Sequence, residues 1–524
     1  MTDDVVLELD QNPVGRRALL LAVAGAGAAA SAVGTLATAA PAQAAPPTTG
    51  SYYVNRTQAT LLAQRTTGGA TPALVASITR LGAAKWLDYQ LNPARLNDAT
   101  FERIATRFAK QSMPIWQVRS LLEEGGLKGW EHKFQIQCEH VARLCWSSRQ
   151  LQAVMTDFWT NHLNVAVMSD GVDESRAHYQ YTIRTKALGK YSDLLLAASQ
   201  HPAMLTFLDN RSSRKAHPNE NQGRELLELH TLGVGNYTET DVLNSTRVLT
   251  GLSVENESGE FEYKPWYHWT GAVKVLGWKS VNNSRPAGLA VARSMLTYLA
   301  HHPATARRVC TKLAQYFVAE TPPPALVSRM VTTYLKNDTA IAPVLRMMFL
   351  SAEFRASWGA VTRRPLEATV ANVRSLGLGI DATGYEGVKA LVYAMGEAGQ
   401  SPMNWPTPDG YPLASAAWGS TSATLERWNF TRSLTAGWWP TTLTRPNLLT
   451  FVHPAALPTT HGPLVDAVAT KLFGRTLAAA DRTAVLTFLG VTATSPLRAD
   501  SAAVTWRLAE WVSLLLDSPY QLYR

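Results

Sequence analysis

From about Thr57 to the end of the chain, apolar residues recur at helical spacing between recognisable caps, and runs of alternating β-branched residues are scarce. That pattern confines the chain to a mainly α fold, a large multi-helix bundle or array. Helices are predicted near 72–91, 97–108, 114–124, 131–145, 148–167, 173–200 and 219–232. They resume near 239–250, 286–300, 303–319, 322–336 and 340–350, and again near 364–376, 386–397, 420–435, 463–473, 479–488 and 500–517. Two long irregular insertions break the series. Residues 251–286 carry Phe261, Tyr263, Trp266, Tyr267 and Trp269 among Gly and Pro, with enough alternation for a short β-hairpin or an ordered loop. Residues 396–420 hold Pro402, Pro406, Pro408 and Pro412 with Trp405 and Trp418, the composition of a rigid irregular lobe.

Ahead of this body, residues 1–44 read as a twin-arginine export signal. An acidic leader precedes Gly15-Arg16-Arg17-Ala18-Leu19-Leu20, an Ala/Gly-rich stretch runs to Ala40, and Ala42-Gln43-Ala44 forms a cleavage site. Ala and Gly contribute little transfer energy, so the segment makes a poor membrane span, and nothing later in the chain resembles one. The expected organisation is signal 1–44, linker 45–56, a main helical domain 57–376 and a C-terminal helical region 377–524 packed on it. The signal holds two basic and four acidic side chains, so its removal moves the net charge from +9 to +11. That balance favours an anionic or glycan polymer of the cell envelope as partner, and no basic run or recognition motif suggests nucleic acid. Solubility alone also accounts for such a charge.

Three cysteines cannot all pair, and no CxxC or Cys/His metal spacing exists. Cys138 and Cys145 lie about 10.5 Å apart along a helix, beyond disulfide reach. Either could meet Cys310, or all three are buried thiols. No HExxH, GxSxG, Walker or dinucleotide fingerprint is present, which disfavours serine-elbow acyl transfer and nucleotide chemistry. No cofactor is predicted, and a metal stays open. Met348 to Arg355 echoes the last ten residues, either as a trace of duplication or as a common helix ending.

The densest polar segment is Pro218 to Gly233. Asn219 to Gln222 has the form of a capping box and Gly233 supplies the stop. At 100° per residue, Glu220, Arg224, Glu228, Asn221 and Glu225 share one arc of about 140°, opposite Leu226, Leu227 and Leu229. Such a face can line a cleft, with Arg224 holding one carboxylate ionised while a less solvated one serves as acid. The same spacing also describes an exposed helix laced by Glu220–Arg224–Glu228 ion pairs that do no chemistry. Trp266, Trp269, Trp405 and Trp418 could stack on sugar faces or fill the core.

These residues carry a resemblance. Tyr191-Ser192-Asp193-Leu194-Leu195, His201-Pro202-Ala203-Met204, Leu208-Asp209-Asn210, Asn219-Glu220-Asn221 and Arg224 to Gly233 closely resemble the bacterial family called domain of unknown function 1800. Further matches span the chain: Phe158-Trp159-Thr160-Asn161-His162, Leu249-Thr250-Gly251, His302-Pro303-Ala304, Arg364-Pro365 with Glu367, Gly399-Gln400-Ser401-Pro402, and Trp428-Asn429. The resemblance implies an exported, mainly helical protein and marks the carboxylate face as a site. Two departures stand out. The family often has Trp-His-Asn-His where Thr160 stands here, which removes one imidazole of a close pair. It often has His-Asp where His268-Trp269 stands, which takes away an aspartate.

The expected function is a carboxylate-dependent hydrolase of an extracellular or cell-wall polymer such as a glycan. Glu225 and Glu228 are the acid/base candidates, Arg224 the electrostatic tuner, and Asp209 and His162 supporting groups. Asn210, Asn219, Glu220, Asn221, His268 and Trp405, with His162, are the expected substrate-binding groups. A non-catalytic envelope binding protein and a metal or cofactor protein folded before export are the alternatives.

Overall fold

Local chemistry sets where the helices start and stop. Thr71 accepts a hydrogen bond from the Leu74 amide just ahead of Pro72, and Ser351 does the same for Phe354. Thr238 and Asp241 form a reciprocal capping box. Two of the resemblance motifs are also caps. In His201-Pro202-Ala203 and His302-Pro303-Ala304, imidazole Nδ1 accepts the amide two residues on, at 3.1 and 3.2 Å.

The computed structural model describes residues 57–108, 113–453 and 455–524, and the expected signal, cleavage site and linker fall outside them. The fold is mainly α. Gly129–Trp146 packs against Pro365–Ser375 and Glu386–Glu397, Gln150–His162 against Arg176–Lys186, and Thr421–Ala436 against Leu508–Leu516. One apolar core runs from Leu61 to Tyr520, so helices on either side of residue 376 share it. Trp159 and Trp511 are fully buried in this core, and their indole N–H groups donate to the carbonyls of Ala187 and Ala503 at 2.9 and 2.8 Å. Burial without those partners would cost most of what each ring gains.

Residues 251–286 form two antiparallel hairpins, β1 (Leu252–Val254) with β2 (Phe261–Tyr263) and β3 (Val273–Val275) with β4 (Trp278–Ser280). Helix Glu239–Leu249 holds the second hairpin, because Asn244 Nδ2 donates to Lys274 O at 2.9 Å and Asp241 accepts the Leu276 amide at 2.7 Å. The three cysteines are buried free thiols.

Five predicted helices need correction. That over 72–91 is two, Pro72–Leu81 and Ala83–Gln90, parted at Gly82 with φ +80°, and that over 500–517 is a 3-10 turn at Ala502–Val504 followed by Leu508–Leu516. In the other three, tertiary partners capture the backbone. The helix expected over 148–167 ends at His162, where Tyr179 OH takes Leu163 O at 2.7 Å and Arg176 Nε takes Val165 O at 2.9 Å. The helix expected over 173–200 is two, Arg176–Lys186 and Tyr191–Ser199, parted where residues 189–191 pair with 339–341. The third, over 219–232, starts as an α-helix at Glu220–Glu225 and widens into a π-turn over Leu226–His230. There Thr231 Oγ1 donates to Leu226 O at 2.6 Å and the Gly233 amide to Leu227 O at 3.0 Å.

Candidate functional site

A recess of about 470 Å³ opens where three stretches meet. The end of helix Gln150–His162 contributes Phe158, Asn161 and His162, and helix Pro303–Phe317 contributes Lys312, Gln315 and Tyr316. The irregular lobe supplies the remaining wall with Trp405, Asp409 and Tyr411. Its proline-rich backbone makes only scattered turn hydrogen bonds with itself, and side chains from elsewhere also hold it. Asn161 exchanges two hydrogen bonds with the Tyr411 backbone, at 2.6 and 2.9 Å. Asn164 Nδ2 reaches Trp405 O and Thr407 O at 2.8 and 2.7 Å. At Gly410 the chain runs so close to Asn161 that an added Cβ would sit 2.1 Å from its carbonyl oxygen, and φ is +75°. Only glycine fits there.

The deepest polar groups are an imidazole and an amine. Tyr191 donates its hydroxyl proton to His230 O, so it presents a lone pair to His162 Nε2 at 3.1 Å. His230 O also faces that nitrogen at 3.3 Å. His162 therefore carries its hydrogen on Nε2, and the Nδ1 lone pair meets Lys312 Nζ at 3.3 Å. Burial, then the nearby Lys312 and His230, hold His162 well below the usual imidazole range. Burial and Arg308 bring Lys312 down to about 8, with Asp409 opposing them. His230 is buried with Nε2 unpartnered, and burial takes it to about 3. Arg308, one turn before Lys312, donates from Nε to Leu229 O at 3.0 Å.

The π-turn rearranges the expected carboxylate face. The widened turn drops Glu228 out of line, so Arg224 pairs with Glu220 at 2.8 Å and with Glu239 at 2.6 Å, in place of the expected Glu220–Arg224–Glu228 lattice. Glu228 accepts from Tyr237 OH at 2.6 Å. Glu225 and Glu228 are both half-buried. Desolvation, then Glu228, raise the Glu225 carboxyl; Arg224 opposes them and Asp409 in the recess wall adds to them.

The other expected site residues are placed differently. Asp209 is exposed at positive φ, and its carbonyl accepts from Asn219 Nδ2 at 3.2 Å. Asn210 is buried, donating to Leu249 O and Leu252 O at 3.2 and 3.1 Å, which ties it to β1. Asn219 caps the Asn221 amide, but the capping box is incomplete because Gln222 donates to Ser199 O. Glu220 and Asn221 are exposed. His268 is fully buried, with Nδ1 at Thr250 O and Nε2 at Asn282 Oδ1, both at 2.8 Å, and it lines no recess wall. Of the expected set, His162 and Trp405 line the recess.

Sequence reasoning passed over Lys312, Arg308, Asp409, Tyr191 and Tyr411. One signal was available: Lys312 repeats the helical register of Thr305, Val309 and Tyr316, and so puts an amine on an apolar stripe.

No curated protein and no solved structure matches the chain. A family does match, over residues 61–522, under the description "Protein of unknown function (DUF1800)". With nearly its whole length covered, the chain belongs to that family.

Proposed function

We propose that the chain is an extracytoplasmic hydrolase of a glycan polymer, exported by the twin-arginine signal of residues 1–44. Glu225 is the acid and Glu228 its carboxylate partner. The observation that carries this reading is the half-buried, raised Glu225 carboxyl, set against Glu228 and within electrostatic range of Asp409. A carboxyl whose proton is held more firmly by burial, beside a second carboxylate, suits protonation of a glycosidic oxygen. The Trp405 and Tyr411 rings, with centroids 4.9 Å apart and planes tilted by 52°, offer apolar faces for a sugar ring. The recess, whose lining includes neither Glu225 nor Glu228, has a volume within the ordinary range of ligand sites. The test is release of reducing ends from a panel of wall and environmental glycans. Glu225→Gln and Glu228→Gln should each lower turnover about 10²- to 10⁴-fold with little change in folding. Unchanged turnover in both variants rejects the assignment, and binding without turnover by the unaltered chain favours a non-catalytic binder.

A further inference from the structure

We propose that Lys312 is a carbonyl-capturing amine, and that the recess takes an aldehyde or keto group, such as the open-chain end of a sugar, as an imine on its Nζ. The inference is independent of the Glu225–Glu228 reading.

Lys312 lies in the recess wall and makes no ion pair among the described residues. Its hydrogen-bond partner is the lone pair of His162 Nδ1, an acceptor whose tautomer is fixed by Tyr191 and His230 O. The charged and titratable groups around it are Arg308 on its own helix, His162 at the end of helix Gln150–His162, and His230 and Asp409 beyond them. Burial and Arg308 favour the neutral amine, which titrates near 8. A lysine kept to hold charge would sit against a carboxylate, and the surface lysines Lys190 and Lys389 do so.

The chemistry balances without another reactant. The Nζ lone pair attacks the carbonyl carbon, and one N–H proton passes by way of His162 Nδ1 to the carbonyl oxygen, giving a carbinolamine. Loss of its hydroxyl with a second nitrogen proton releases one water and leaves the C=N bond. Trp405 and Tyr411 would cover the remainder of the bound molecule.

The experiment treats the purified chain with glycolaldehyde and cyanoborohydride near neutral pH, then maps adducts by peptide mass spectrometry. At pH 7.5 roughly a quarter of an amine titrating near 8 is neutral, against about one in a thousand for an ordinary lysine. Lys312 should therefore label at least about ten-fold faster than the exposed Lys85, Lys274 and Lys279. Lys312→Arg should lose that adduct alone, and Glu225→Gln should keep it. Labelling confined to exposed lysines, with Lys312 intact in the folded chain, overturns the proposal even where the arginine variant does not fold.

Discussion

Tyr316 separates two clusters of charge that the fold treats in opposite ways. On one side the ring lines the open recess with Lys312 and His162; on the other it faces a space of about 20 Å³ beside Asp157, Glu367 and Arg524. Behind the ring both carboxylates are matched, while Arg363 donates to a backbone carbonyl, Gln521 O, at 2.5 Å. Asp157 lies 3.1 Å from His140 and 2.9 Å from Arg364, and Glu367 lies 3.2 Å from Arg364 and 2.7 Å from Arg524. Both guanidinium groups also stack over Tyr316 at 5.1 Å. In front of the ring the amine hydrogen-bonds a neutral imidazole beside a second cation and makes no ion pair, the carboxylates Asp409 and Glu320 standing farther along the recess wall. The matched cluster ties the chain's last residue to two distant helices, which is a structural task. The unmatched one leaves binding energy free for a ligand.

The largest expected effect breaks the matched side. Glu367→Ala strands the buried Arg524 guanidinium and leaves Arg364 with Asp157 alone, and should lower unfolding free energy by about 3–5 kcal/mol, read by denaturant melts. The same cluster sets acid sensitivity. Burial opposes ionisation, yet His140 and Arg364 hold Asp157 at about 2, and Arg364 and Arg524 do the same for Glu367. Folded values below the unfolded ones give stability that is complete above about pH 5 and is lost as pH falls toward 2. Lys312→Met should act in the reverse sense, because it removes an unmatched cation, and should stabilise the chain at neutral pH by about 1–3 kcal/mol. The smallest effect belongs to Arg224→Ala, whose partners Glu220 and Glu239 are exposed. A change under about 1 kcal/mol is expected, and a larger loss would mean that the exposed face does more than screen charge.

Helix positions, the free thiols and the irregular lobe were legible because spacing, caps and proline are local signals. The Arg224–Glu228 pairing was not, since a π-turn depends on which side chains take the carbonyls at 226 and 227, and Thr231 and Gly233 do so only in the folded chain. Asp209, Asn210 and Asn219 read as a site, yet they shape the turn into helix Glu220–Glu225 and the link to β1. His162 and Trp405 were expected in one site and both line the recess, but their meeting needs Asn161 and Asn164 to fasten a lobe some 240 residues away, a contact with no periodicity to reveal it.

The central claim is that the fold keeps an amine without an ion-pair partner in the recess, and its most direct measurement is the stability difference between the unaltered chain and Lys312→Met as pH rises. Burial lowers the folded amine to about 8 while the unfolded one titrates near 10.5, so between those values the unfolded state holds the extra proton and stability rises with pH. The account predicts that the advantage of Lys312→Met shrinks steadily from about pH 8 and has gone by about pH 10.5. A gap that stays constant across that range, or a variant less stable than the unaltered chain at neutral pH, would contradict it.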